Sequence, residues 1–283
     1  MTTINQYFQE GVHKLAPIFG RRESISIIQI LFDDLLEISY RDKAKKFPID
    51  LTALYVGALE RLVKGEPVQY ITGIAYFYGL KFKVTTDVLI PRSETEELIW
   101  HTIKLPIFRN NSSLRILDVG TGSGCIAIVL KKKIPNAEVV AIDISNQALD
   151  VAIANALVLN ADIRFVNADI STVQTLERLG SFDLIVSNPP YVGREEKDVI
   201  SAGTSFEPEL ALYPPTGDPI YYYRKIFDLC NDRLACKGWL AVELNEFSAE
   251  KILRISQQYD FLTEQEILLD MQGKKRFLIT QRK

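Results

Sequence analysis

A chain of 283 residues with 47% hydrophobic and 24% charged side chains has the length for two domains and the apolar content for a sizeable core. Its net charge of −3 argues against affinity built on neutralising many phosphates, although a local basic patch around Lys274, Lys275 and Arg276 stays open. Three cysteines (Cys125, Cys230, Cys236) and two histidines (His13, His101) sit at spacings that fit neither a disulfide framework nor a metal site, so no metal is expected.

The polar start, Met1 to Glu10, carries no signal-peptide pattern, and no apolar run reaches the roughly 18 residues of a membrane span. A cytoplasmic protein with reduced thiols and no membrane contact is expected. The first 65 or so residues read as helices. Ile25, Ile28, Leu31, Leu35 and Ile38 recur at three- and four-residue steps. Asp50 is placed to cap a second helix with Leu51, Leu54, Leu59 and Leu62 on one face, ended by Gly65 and Pro67. Aromatic residues then cluster between Tyr70 and Val84, and Gly79 is expected near the turn of a hairpin.

From Leu114 the pattern alternates. Strands are expected at Leu114–Val119, Glu138–Ile144, Ile163–Val166, Phe182–Ser187, Trp239–Leu244 and Lys275–Gln281. Helices fall between them at Ile126–Lys133, Asn146–Asn160, Ile220–Cys230 and Ala249–Gln258. Repeated β-α-β units imply an α/β fold with a mostly parallel sheet, whose ligands bind beyond the carboxyl ends of the strands.

The first of those strands ends in Asp118-Val119-Gly120-Thr121-Gly122-Ser123-Gly124. Glycines there let the backbone turn tightly and approach a ligand. Asp143, at the end of the next strand, can accept both hydroxyls of a ribose. Two ligands compete for the turn. A dinucleotide would put pyrophosphate at the helix amino terminus, whereas S-adenosylmethionine would put its ammonium group near Asp118. A carboxylate directly before the glycines repels pyrophosphate and favours the second. Asp169 is placed either to contact adenine or simply to cap a helix.

Asn188-Pro189-Pro190-Tyr191 follows an apolar strand. Alone it could be a rigid turn; after such a cofactor signature it reads as the reacting segment. An amide or aromatic amine nitrogen is a poor nucleophile because its lone pair is delocalised. The Asn188 side-chain oxygen and the Pro189 carbonyl can hold both N–H bonds of an NH₂ group, aim the lone pair and stabilise charge developing on nitrogen. The prolines fix φ and remove donors, and Tyr191 offers a ring against a planar group.

These motifs resemble the protein-(glutamine-N5) methyltransferases that modify peptide chain release factors, the HemK/PrmC family. The resemblance extends over Gly65-Glu66-Pro67-Val68-Gln69-Tyr70-Ile71-Thr72-Gly73, Phe77-Tyr78-Gly79-Leu80, Val88-Leu89-Ile90-Pro91-Arg92, Phe206-Glu207-Pro208 and Asp270-x-x-Gly273-x-x-Arg276. It implies a helical docking domain (1–66), a linker with a β-hairpin (67–90) and a Rossmann-like class I methyltransferase domain (91–283). It also implies S-adenosyl-L-methionine as cofactor, S-adenosyl-L-homocysteine as product, and the glutamine of a Gly-Gly-Gln loop as substrate. Asp118, Gly120, Thr121, Gly122, Ser123, Gly124, Asp143, Asp169 and Asn188 would bind cofactor. Asn188, Pro189, Pro190 and Tyr191 would hold the glutamine, and Pro91 to Glu97 would line the adenosine side. A monomer without nucleic-acid partners is expected.

Three positions depart from the family pattern: Ser93 for proline, Asn245 for glycine, and Tyr213-Pro214-Pro215 in a stretch usually carrying glycine and aspartate. Two rivals remain. An adenine amino-methyltransferase on DNA or RNA would suit the same tetrapeptide, but the additional domain is not lysine-rich. A non-catalytic cofactor-binding protein would not need Asp118, Asp143 and Asn188 intact.

Overall fold

The computed structural model describes residues 2–110, 113–172, 179–193 and 202–283. The chain divides into two compact units: Met1–Ile74 with Val84–Thr86 and Ser201–Phe206, and Ala75–Lys83 with Asp87–Ile200 and Glu207–Lys283.

The first unit is helical. Helix α1 (Ile4–Phe19) opens with a capping box in which Thr3 and Gln6 satisfy each other's backbone N–H groups. Its buried stripe (Ile4, Phe8, Val12, Leu15) meets Ile28, Leu31, Phe32, Tyr55, Leu59 and Leu62 in one core. Gly11 makes the close approach possible, since a Cβ there would stand 2.6 Å from both Ile28 Cδ1 and the Tyr55 hydroxyl. Helix α2 (Arg21–Ile30) runs into a π-helical turn, Leu31–Leu35, so the expected stripe to Ile38 leaves α-helical geometry earlier than its periodicity suggests. Helix α3 spans Thr52–Val63 and α4 spans Val68–Thr72.

Two expectations fail here. Asp50 does not cap α3: the chain enters through a 3₁₀ turn, Ile49–Leu51, and no side chain caps the helix. Pro48 ahead of that turn holds the entry instead. Leu54 is exposed, because the buried face of α3 is Tyr55, Ala58, Leu59 and Leu62. The Tyr55 hydroxyl donates to the Tyr7 carbonyl at 2.7 Å, which turns the face toward α1.

In the second unit, strands β1 (Ile74–Phe77) and β2 (Leu80–Lys83) form the hairpin. Tyr78 (φ 52°) and Gly79 (φ 74°) both lie in the left-handed region, as a two-residue type I′ turn requires. Helices α5 (Ser93–Thr102) and α6 (Ile107–Asn110) follow. The alternation then runs β3 (Arg115–Val119), α7 (Cys125–Lys133), β4 (Glu138–Asp143), α8 (Asn146–Val158), β5 (Arg164–Asn167) and β6 (Phe182–Ser187). After them come α9 (Glu209–Leu212), α10 (Tyr221–Arg233), β7 (Leu234–Glu243), α11 (Ala249–Ser256), β8 (Leu262–Leu269) and β9 (Lys275–Arg282).

The described strands make a seven-stranded sheet in the order β5-β4-β3-β6-β7-β9-β8. Pairing is parallel from β5 to β7, while β9 runs antiparallel to both its neighbours. Buried side chains cover both faces: Leu117, Val140, Ile185, Leu240 and Leu278 on one, Ile116, Ala141, Leu184, Ala241 and Phe277 on the other. This is a Rossmann-like class I methyltransferase fold. The chain steps outward from β3 to β4 and β5, then returns to place β6 on the other side of β3. That reversal makes the carboxyl ends of β3 and β6 the topological switch point, where sheets of this kind bind their ligands.

Candidate active site

Val119 pairs with Ser187 in the last register of β3 and β6, so the glycine turn and the Asn-Pro-Pro-Tyr segment leave the sheet side by side. The Ser187 hydroxyl donates to the Val119 carbonyl at 2.7 Å and ties the two strand ends together.

The glycine turn is held from below. Gly120 N and Thr121 N donate to the Ile142 carbonyl at 2.9 and 3.0 Å. Gly120 and Gly122 have positive φ, and a Cβ at either would meet nothing within 4 Å, so their outer side is open. Gly124 acts differently, because its missing Cβ lets the start of α7 approach Ala152 of α8, with 3.1 Å between the two Cβ positions. Ser123 is buried, and its carbonyl accepts from Asn155 Nδ2 at 2.9 Å.

Asp118 lies wholly inside. One carboxylate oxygen accepts from the Thr121 hydroxyl (2.6 Å) and from Ala127 N (3.2 Å). The other, Oδ1, is buried without a partner among the described residues. Burial pushes the group up to about 7, against the opposing pull of Thr121 and Ala127. An orphaned carboxylate oxygen beside an open glycine turn suits a ligand carrying an ammonium group.

Asp143 ends β4. It accepts from Gly122 N at 2.8 Å and from Ser145 N at 2.9 Å, joining the glycine turn to the cap of α8. Burial raises its pKa despite those bonds. Each oxygen retains a second lone pair, which is what a diol needs. Asp169 accepts from Ser171 N at 2.8 Å, an Asx turn that holds its own loop.

The Asn-Pro-Pro-Tyr segment is anchored by Thr95, which falls within the Pro91–Glu97 stretch expected on the adenosine side, and by Glu243, which the sequence did not single out. Asn188 Nδ2 donates to Thr95 Oγ1 at 3.1 Å, and Thr95 donates to Glu243 Oε2 at 2.7 Å. The Tyr191 hydroxyl donates to Glu243 Oε1 at 3.1 Å, and the Tyr223 hydroxyl donates to the Glu243 carbonyl at 2.7 Å. Thr95 (α5) and Glu243 (the end of β7) are buried. Burial pushes Glu243 up to about 7, while the bonds from Thr95 and Tyr191 and the charge of Arg276 pull the other way. Burial beside that carboxylate also raises the Tyr191 phenol well above its ordinary range, so it stays a donor. The sequence signals for this network were the place of Thr95 within Pro91–Glu97 and that of Glu243 two residues before the Asn245 departure.

The outlying motifs meet around this centre. Glu207 is buried and accepts from Ile90 N at 3.1 Å and from the Arg92 guanidinium, joining Phe206-Glu207-Pro208 to Ile90-Pro91-Arg92. Asp270 accepts from Lys274 N (2.9 Å) and Arg276 Nε (3.1 Å), and Arg276 Nη1 reaches the Leu244 carbonyl at 3.3 Å. The β8–β9 turn is thereby fastened to the end of β7.

Two departures acquire reasons. Ser93 is the first residue of α5, where proline is pre-shaped for a helix start but not required; its hydroxyl donates to Glu94 at 3.0 Å. Asn245 accepts from Phe247 N at 2.9 Å and donates to the Tyr191 carbonyl at 3.3 Å, a tie to the Asn-Pro-Pro-Tyr segment that glycine could not make.

Comparison with known proteins gives a consistent result. The family model described as "Methyltransferase small domain" matches residues 102–205. The chain is 37% identical to the release factor glutamine methyltransferase of Flavobacterium psychrophilum over 91% of this chain and 92% of that protein. It is 37% identical to the one from Bacteroides thetaiotaomicron over the full length of both. Among solved structures, the hMettl16 catalytic domain in complex with a MAT2A 3′UTR hairpin superposes over 89% of this chain and 88% of that one. The TM-score is 0.55 at 16% identity, a likeness of fold alone.

Proposed function

The chain belongs to the release factor glutamine methyltransferase family, and on that footing we propose that it methylates the side-chain amide nitrogen of a glutamine in peptide chain release factors, the one in the Gly-Gly-Gln loop, using S-adenosyl-L-methionine. The observation that carries the reading is the pairing of Val119 with Ser187, which sets an open glycine turn beside an anchored Asn188.

S-adenosyl-L-methionine, when bound, supplies a methyl carbon on a sulfonium sulfur and leaves as S-adenosyl-L-homocysteine. Asp118 Oδ1 would meet its ammonium group, Asp143 would take its ribose hydroxyls, and the turn from Gly120 through Thr121, Gly122 and Ser123 to Gly124 would hold the amino-acid end. Asp169 serves the adenine side by shaping its loop. On the substrate side, the Asn188 oxygen and the Pro189 carbonyl accept the two N–H bonds of the carboxamide. Pro190 keeps the loop stiff, and the Tyr191 ring backs the planar group. As nitrogen gains positive charge, the two oxygens stabilise it. The excess proton then leaves to solvent; a strong base is not needed before attack. The helical unit, residues 1–66 in this reading, docks the body of the release factor.

The test is transfer of labelled methyl groups onto purified release factor, with mass-spectrometric localisation and a nuclease-treated lysate as control. Label on the Gly-Gly-Gln glutamine supports the reading. Label on another residue, or label lost to nuclease, overturns it, the latter in favour of an adenine amine.

A further inference from the structure

We propose that Thr95 and Glu243 are positioning residues that decide which end of the Asn188 carboxamide faces the reacting nitrogen. The proposal rests on the methyl-transfer reading above and goes beyond it.

A carboxamide is nearly symmetric in shape but opposite in chemistry at its two ends: oxygen accepts and nitrogen donates. Rotated by half a turn, Asn188 would offer N–H groups to a substrate NH₂ that also has only N–H groups to give, and the acceptor would be lost. Something must make one orientation better than the other. Thr95 Oγ1 is the group at the far end of Asn188, and by itself a hydroxyl is indifferent, since it can donate or accept. Glu243 removes the indifference. An ionised carboxylate only accepts, so the single Thr95 proton is committed to Glu243 Oε2. What remains on Thr95 is a lone pair, and a lone pair selects Asn188 Nδ2. The Asn188 oxygen is left pointing away from Thr95.

The second oxygen of Glu243 fits the same logic. It takes the Tyr191 proton, so the carboxylate receives both neighbouring hydroxyls and polarises both toward itself. All three side chains of the relay other than Asn188 are shielded or partly shielded, where water cannot substitute for a missing partner. Protonated Glu243 could donate to Thr95 and release the preference. The groups facing it are Glu94 and Thr95 from α5, Cys125 from α7, Tyr191, Tyr223 from α10 and Arg276 from β9. Among them Arg276 favours the ionised form and Glu94 opposes it, beneath a burial effect that raises the group to about 7.

The experiment compares full-length wild type with Thr95→Val, Thr95→Ser and Glu243→Gln, using purified release factor and saturating S-adenosyl-L-methionine. Thr95→Val keeps shape but has neither donor nor acceptor, and is expected to lower kcat about ten- to a hundredfold, with KM for the release factor within about threefold. Thr95→Ser restores the hydroxyl and is expected to recover kcat to within about threefold of wild type. The wild-type kcat should rise with pH through about 7 as Glu243 ionises, and this limb should vanish in both Thr95→Val and Glu243→Gln. Equal kcat in wild type and Thr95→Val, or the same limb in all four proteins, would overturn the proposal.

The Asn188 side-chain amide proton resonances supply a readout that needs no substrate. They should move in Thr95→Val and in Glu243→Gln. If they do so in a protein that leaves release factors unmodified, the function falls and the relay stands; resonances unmoved in Thr95→Val sink the relay, whatever the substrate proves to be.

Discussion

The loops after β3 and β6 leave neighbouring strands at the same edge, yet they are built on opposite principles. The first gains its shape from three glycines at positive φ and is pinned by backbone N–H groups reaching Ile142 and Asp143. The second has two consecutive prolines and so few donors that it must be held through side chains, by Thr95, Glu243 and Asn245. Each relies on a fully buried carboxylate, Asp118 for one and Glu243 for the other, and burial raises both to about 7. In the proposed mechanism this becomes a division of labour: the glycine loop would govern what is bound, the proline loop what reacts.

The sharpest way to break that division is Asn188→Ala. We expect kcat to fall about a hundred- to a thousandfold, with cofactor affinity reduced far less, measured by turnover and by calorimetry with S-adenosylhomocysteine. Equal losses in both would merge the two loops into one function.

The opposite signature is expected below about pH 7, where Asp118 takes up a proton. A neutral carboxyl cannot pair with an ammonium, so S-adenosylhomocysteine affinity should drop about tenfold per pH unit on the acid side. In Asp118→Asn that slope should disappear.

Gly122→Ala comes next. At φ 55° with open space around it, the cost is backbone strain rather than collision. Cofactor Kd should rise about tenfold while kcat at saturation holds within about threefold. A collapse of kcat instead would mean the glycine turn also aims the reaction.

The smallest effect is on stability. Asp118 and Glu243 have ordinary values of 3.8 and 4.5 and are raised when folded, so the folded state binds their protons more tightly. Their contribution is complete below about pH 4 and is lost as pH rises through about 7. The unliganded protein should therefore melt higher near pH 5.5 than near pH 7.5, by about 5 to 10 degrees. Asp118→Asn or Glu243→Gln should flatten the difference, as followed by calorimetry.

How far the sequence could carry this architecture differs by region. The parallel strands were legible because each is a short apolar run, and the two loops because glycine and proline bend the backbone in ways few residues can. Strand β8 was not legible. Its register with β9 shifts between Thr263 and Glu266, with Glu264 at φ 50°, so strict alternation is broken where it would have been read. The true start of β7 at Leu234, ahead of the expected Trp239, lay hidden behind a bulge that passes Gly238, where a Cβ would stand 2.8 Å from the Ala235 carbonyl. The coupling of Thr95 to Glu243 was invisible for another reason. A threonine on a helix and a glutamate at a strand end are ordinary in sequence, and only the pairing of Ser187 with Val242 brings Glu243 level with Asn188. Pairing across more than fifty residues leaves no local trace. Leu54 lies off the buried face because Tyr55, with its hydroxyl on the Tyr7 carbonyl, sets the rotation of α3, which leucine spacing alone does not fix.

Asn155 on α8 joins distant parts of the fold with a single side chain. Its oxygen accepts from Lys83 N at 2.7 Å, and its amide donates to the Lys83 and Ser123 carbonyls, each at 2.9 Å. The hairpin and the glycine loop are thus harnessed mechanically, so that tugging the one strains the other. Because both attachments at Lys83 use main-chain atoms, the harness is blind to which side chain grows there. Evolution and the protein engineer are free to repaint that position with any residue except proline, which would cut the line at its nitrogen.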